Sequence, residues 1–234
     1  MNAKTRTKLN MGDRALNFSR AHPNASPGYA ATLTGLEQLL TRAEQLARIQ
    51  QEGISQRLAA NGRKRALRRQ MSETQLRHLA KVAKKASREV PELLGKFTFK
   101  APGPRPYRAF RALAGTLVAE AQTQKEVLVK HGLADMVLDG LVQSLDQFDQ
   151  ASKDSTDALR AHVSARVELD IIGDEVVETV EVMDTLNRYR FANEPEVVAE
   201  WDAVSNVIGP PRPAADKPAT PGQPSAGGEA RPAA

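Results

Sequence analysis

Between Pro27 and Pro91 the apolar residues fall at steps of three and four, and this pattern constrains the fold more than any other feature of the sequence. Leu33, Leu36, Leu40, Ala43, Ala47, Ile54 and Leu58 form one stripe, and Leu67, Met71, Leu76, Leu79, Ala83, Ala86 and Val90 continue it. A helix of 3.6 residues per turn brings such positions onto one face, which must be buried against another element. Ser26 directly before Pro27 has the N-cap and N1 chemistry of a helix start. The one strong breaker is Asn61-Gly62. Because the stripe resumes at once, it predicts a kink within one helix of about 60 residues, roughly 90 Å long. Ser72 and Gln75 have the spacing of a capping box, so a fresh start at Ser72 is the alternative.

The same period recurs downstream. A helix is expected over 107–131, with Phe110, Leu113, Leu117, Ala121 and Leu128 on one face and Gly132 as its terminating residue. Leu138, Leu141, Leu145 and Phe148 mark another helix over 133–152, and Ser152, Asp154, Ser155 and Thr156 offer side-chain caps for a new start. Leu159, Val163, Leu169, Ile172, Val176, Val180, Met183 and Leu186 then define a helix over 155–190. Shorter helices are expected over 10–21 and over 195–207, the latter carrying Trp201. Between Pro91 and Pro106 the pattern lapses, and Phe97 and Phe99 are expected to dock on a helix end.

The expected fold is all-α: an elongated antiparallel bundle of long amphipathic helices with short N- and C-terminal helices. Helices 63–90, 107–131, 133–152 and 155–190 would run up, down, up and down. Residues 1–9 are expected to be a flexible N-terminus and 10–208 a single helical-bundle domain. Residues 209–234 hold seven of the fourteen prolines, with Ala and Gly filling most of the rest, and are expected to be a disordered tail.

Charge is distributed unevenly. Residues 1–100 carry 20 Lys/Arg against 7 Asp/Glu, and residues 101–200 carry 10 against 18. The sharpest basic feature is Arg63, Lys64 and Arg65 followed by Arg68 and Arg69. Arg77, Lys81, Lys84 and Arg88 follow at steps of four, three and four, on one helical face. Phosphate contacts need such a surface. The acidic set Asp170, Asp174, Glu178 and Glu181 also lines one face. If helix 155–190 runs antiparallel to helix 63–90, Asp174 is expected near Arg69, Glu178 near Arg65 and Glu181 near Gly62. Pairing of the two charged faces is the preferred reading, and a nucleic-acid surface is the alternative.

Motifs for catalysis are lacking. The chain has no cysteine, so thiolate chemistry is excluded. None of His22, His78, His131 and His162 has an acidic residue three positions before it, as the pairs of a di-iron bundle require. Walker, dinucleotide-glycine and nucleophile-elbow motifs are absent too. No cofactor and no catalytic or metal site is expected, and no apolar run approaches the ~18 residues needed to cross a bilayer.

Several segments carry a resemblance. Arg14-Ala15-Leu16 with Phe18 to Pro23, Pro91-Glu92-Leu93 with Phe97, Val129 to Leu133, Leu186 to Phe191, Glu194-Pro195-Glu196 and Asn206 to Pro210 look like those of a family of uncharacterised bacterial all-helical proteins. The resemblance spans about 10–210 and implies one cooperative domain of bacterial origin, with no activity, cofactor or partner attached. The expected role is that of a cytoplasmic, non-enzymatic module for protein–protein interaction, scaffolding or self-association. The alternative is a nucleic-acid-binding accessory protein using the basic helix 63–88.

Overall fold

A computed structural model describes residues 1–99 and 106–207, so the expected tail over 209–234 lies outside the described residues. Helices α1 (Ala3–Ala21), α2 (Pro27–Gln70), α3 (Leu76–Ala86), α4 (Tyr107–Thr123), α5 (Lys125–Lys130), α6 (Asp135–Arg190) and α7 (Pro195–Ser205) follow in order, with no strand among the described residues. No helix among them is long and apolar enough to cross a membrane.

Two long antiparallel rods form the spine. One is α2, a single π-helical turn at Met71–Gln75, and α3; the other is the 56-residue α6. Pro27 opens α2 at its first turn, and the helix passes through Gly62 unbroken. The interruption lies instead where the capping-box spacing stands. There Met71 and Ser72 are both buried, one residue too many for a 3.6 period. The wider turn absorbs that residue: Leu76 N–H reaches back to Met71 O, and Leu76, Leu79, Ala83 and Ala86 stay on the buried face.

No break occurs at Ser152–Thr156. Ser152 and Thr156 return their hydroxyls to the carbonyls of Phe148 and Ser152, at 2.9 and 3.1 Å, and Ser155 faces Asn61 of α2 at 3.2 Å. With those groups satisfied inside the helix, and no Gly or Pro present, nothing stops it. The all-α antiparallel bundle with short N- and C-terminal helices is as expected, but its up-down-up-down order is corrected: one unbroken α6 stands in place of two helices, giving a two-helix spine with a cluster of shorter elements at each end. The expected helix over 107–131 divides at Gln124, and the Schellman motif ends its second part. Gly132 has φ of +105°, its N–H bonds Val129 O at 3.0 Å, and Leu133 N–H bonds Leu128 O at 2.9 Å.

At one end α1 and α7 cover the spine. Residues 1–9, expected to be flexible, are instead mostly the first turns of α1. The Asn2 side chain accepts from Thr5 N–H at 2.7 Å and donates to Asp170 of α6 at 2.8 Å, while Leu9, Met11 and Phe18 are buried. This core continues through Leu36, Leu40, Leu169, Val176, Met183 and Trp201. At the other end Leu76, Leu79, Phe110, Leu117, Leu128, Leu141 and Phe148 form a second core, against which Phe97 and Phe99 both pack as expected.

Between the cores the two rods touch through Gln50, Gly53, Ala60, Ser155 and Ala158. A methyl group on Gly53 would lie 2.9 Å from Ala158 O and 3.1 Å from His162 Cβ, so the rods are too close there for larger residues. Ile54, Leu58 and Val163, expected on buried stripes, are exposed for that reason. Opposite pairs are Arg42 with Glu168, Asn61 with Ser155, and Gln75 with Ser144. Each α2 residue thus faces an α6 residue about 27 positions earlier than the charge-pairing register places it, a slide of roughly 40 Å.

Candidate nucleic-acid interface

That slide separates the two charged faces. The acidic set of α6 lies beside α1: Asp170 accepts from Asn2 and Thr5, and Asp174 pairs with Lys8. Glu181 lines a groove with Asp184, Arg188 and Asp202 near α7. The expected approaches of Asp174 to Arg69, Glu178 to Arg65 and Glu181 to Gly62 do not occur.

The basic residues are held by different contacts along the rod. Arg63 spans to α6, its Nη2 lying 2.5 Å from Asp154 Oδ2. Lys64 Nζ sits 5.3 Å from the centre of the Tyr107 ring, and the Arg68 guanidinium lies 5.7 Å from that ring and 5.3 Å from that of Phe110. Stacking on two rings orders the planar Arg68 guanidinium. Arg69 meets Glu73 one turn along at 3.7 Å, an exposed contact of little strength.

Arg65, Arg77, Lys81, Lys84 and Arg88 are exposed, and no carboxylate lies within ion-pair distance of them among the described residues. Lys85, which the spacing argument passed over, is exposed beside them. The contrast with other cations of the molecule is plain, since Arg42, Arg111 and Arg188 each have a carboxylate partner at 2.5 to 2.9 Å.

Three further residues join the face. Ser72 and Glu73, both in the π-turn, and Tyr107, at the start of α4, line a groove of ≈ 300 Å³ together with Arg65, Arg68, Arg69 and Arg77. The spacing of Ser72 marked it as a helix cap and not as part of this face. Its position follows from the inserted residue of the π-turn, which a 3.6-residue template does not anticipate.

Three of the four histidines make contacts elsewhere. His131 Nε2 lies 3.4 Å from Glu89, His162 Nδ1 lies 3.2 Å from Gln50 O, and His22 stacks on Phe18 with centroids 4.4 Å apart. No group of three or more His, Asp and Glu side chains is arranged to hold a metal among the described residues. Comparison of the chain with family models, with curated proteins and with solved structures gave no match, so the interface stands on its own geometry.

Proposed function

We propose that the protein is a cytoplasmic, non-enzymatic nucleic-acid-binding accessory protein that lays the basic face of α2 and α3 along a phosphate backbone. The observation behind this reading is that Arg65, Arg77, Lys81, Lys84 and Arg88 face solvent without a carboxylate partner among the described residues. Keeping several cations unneutralised on one face raises the self-repulsion of the fold, and a polyanion relieves it by releasing its counterions. Base-stacking aromatics are lacking along α3, which favours backbone contact over sequence readout.

The test is the salt dependence of binding to duplex DNA and RNA, read by fluorescence anisotropy. Each phosphate contact contributes about −0.9 to the slope of log K against log salt. Replacing Lys81, Lys84 and Arg88 together by Gln lowers the slope by about 2 to 3. Absence of binding at about 50 mM salt, or an unchanged slope in the triple variant, overturns the reading.

A second reading, protein–protein interaction or self-association, rests on a different surface. Val163, Val167 and Ile171 recur at steps of four on α6 and are 49, 56 and 52 % exposed. Such a stripe suits a helical partner or a second copy of the chain. Sedimentation of the wild type against Val167→Glu separates the two readings, since this substitution leaves the basic face intact.

A further inference from the structure

The apolar stripe on α6 sits at the centre of a charge pattern that reverses sign about it. Val163, Val167 and Ile171 are each about half exposed, although β-branched side chains lose rotamer freedom in a helix and gain most from it when buried. They begin where α6 has least support, since one core ends along it at Phe148 and the other starts at Ala165. Arg160 stands seven residues before Val167, and Asp174 seven residues after it. Seven residues make about two turns, so both share the face of Val167. Two turns further out the same reversal recurs, with Lys153 on one side and Glu181 on the other. All four charged residues are exposed.

We propose that the protein forms a homodimer in which α6 packs antiparallel against α6 of a second copy, about a two-fold axis through Val167. That axis sets Val167 against itself, Val163 against Ile171 and Arg160 against Asp174, the last two pairs each occurring twice. Lys153 and Glu181 meet at both ends of the contact. A parallel pairing in the same register sets Arg160 against Arg160 and Asp174 against Asp174, so the charges select the direction.

The side chains of Arg160 and Asp174 are 78 and 67 % exposed, which leaves both within reach of a partner helix. Arg160 touches Asp157 at 3.5 Å, an exposed contact of little strength. Asp174 accepts from Lys8 through Oδ1, and a carboxylate has capacity for a second donor. From Lys153 to Glu181 the contact runs roughly 42 Å, with apolar layers only at its centre, so the dimer belongs to the weak class. Self-association through α6 gives the protein–protein reading a named partner and rests on that reading. The basic face of α2 and α3 lies on the other rod and is not used.

The first measurement is sedimentation equilibrium of the full chain between about 1 and 100 μM, over which monomer is expected to convert to dimer. Arg160→Glu weakens the dimer about tenfold or more, because the axis repeats the pair and reversal turns two attractions into two repulsions. Asp174→Lys weakens it likewise. When the two variants are mixed, both pairs are again of opposite sign and dimer returns. Recovery on mixing also shows that each variant is folded.

Direction is read with engineered thiols, since the chain has no cysteine of its own. Val167→Cys is expected to link to itself through a short bismaleimide. Val163→Cys is expected to link to Ile171→Cys in preference to itself. A wild type that stays monomeric over that range overturns the homodimer and leaves the wider interaction reading standing. A dimer that persists unchanged in Val167→Glu overturns both, because the stripe then takes no part. Failure of the charge-reversed pair to recover on mixing, or Val163→Cys linking to itself as readily as to Ile171→Cys, overturns the antiparallel arrangement.

Discussion

Asp174 of α6 accepts a hydrogen bond from the Lys8 ammonium of α1, and this contact holds its carboxyl below the usual value of 3.8. The charge of Lys8 adds to the effect, and that of Lys4 contributes less. The pair ties the first helix to the spine one turn beyond the Asn2 and Thr5 contacts to Asp170.

A pH dependence follows, with a definite sign. A carboxylate whose pKa is depressed on folding contributes stability above its unfolded value, and the contribution is lost as pH falls through the folded value. Asp174→Asn therefore lowers the melting temperature slightly at neutral pH, and the difference closes as pH drops below 3.8. Thermal melts followed by circular dichroism measure it. A difference that does not narrow as pH falls shows that the side chain acts through something other than its charge.

The register makes a second prediction, at the level of single pairs. Arg63 and Asp154 are in contact across the spine, whereas Arg65 and Glu178 lie roughly 40 Å apart along it. A double-mutant cycle on Arg63 and Asp154 is expected to give a coupling of about 0.3–1 kcal/mol. The same cycle on Arg65 and Glu178 is expected to give none. Coupling in the second pair, measured by urea unfolding, would mean that α2 and α6 pair in the other register.

The sequence carried the helices themselves but not their partners. Ser26-Pro27, Gly132 and the apolar stripes mark helix starts and stops because capping and periodicity are local. Register is not local. Here it depends on Gly53 meeting Ala158, two small residues whose significance appears only when the rods touch. The cluster at Ser152–Thr156 misled because its hydroxyls serve equally as caps or as bonds to the preceding turn, and the neighbouring rod decides between them. Likewise Arg65, Arg69 and Arg77 were visible as a basic run, but the groove around Ser72 exists only because the π-turn and the start of α4 meet there.

Two glycines of α2 are expected to respond oppositely to the same change. At Gly62 nothing lies within 4 Å of an added methyl, so Gly62→Ala should stabilise the exposed helix by about 0.5–1 kcal/mol. At Gly53 the methyl meets backbone at 2.9 Å, and Gly53→Ala should destabilise by ~1–3 kcal/mol despite the better helix propensity. Urea midpoints of the two variants decide it. A stabilising Gly53→Ala would show that the spine separates between the cores.

Trp201, the only tryptophan, offers a test of whether the two cores unfold as one. It is 1 % exposed, packs 5.1 Å from the Phe18 ring centre and donates its Nε1–H to Asp184 at 2.8 Å. Trp201→Ala should therefore cost about 3–5 kcal/mol. The ring reports only the end built by α1 and α7, whereas helical circular dichroism reports every element. Because α6, and the rod of α2, the π-turn and α3, both reach from that end to the other core, loss of packing at one end removes the support for the spine at both. The fluorescence and dichroism transitions of the wild type are accordingly expected to coincide in urea, as for a two-state unit. In Leu141→Ala, at the far core, both should move together to lower denaturant. A dichroism transition that shifts while the Trp201 signal stays in place would show instead that the narrow contact at Gly53 and Ala158 divides the molecule into two independently melting ends.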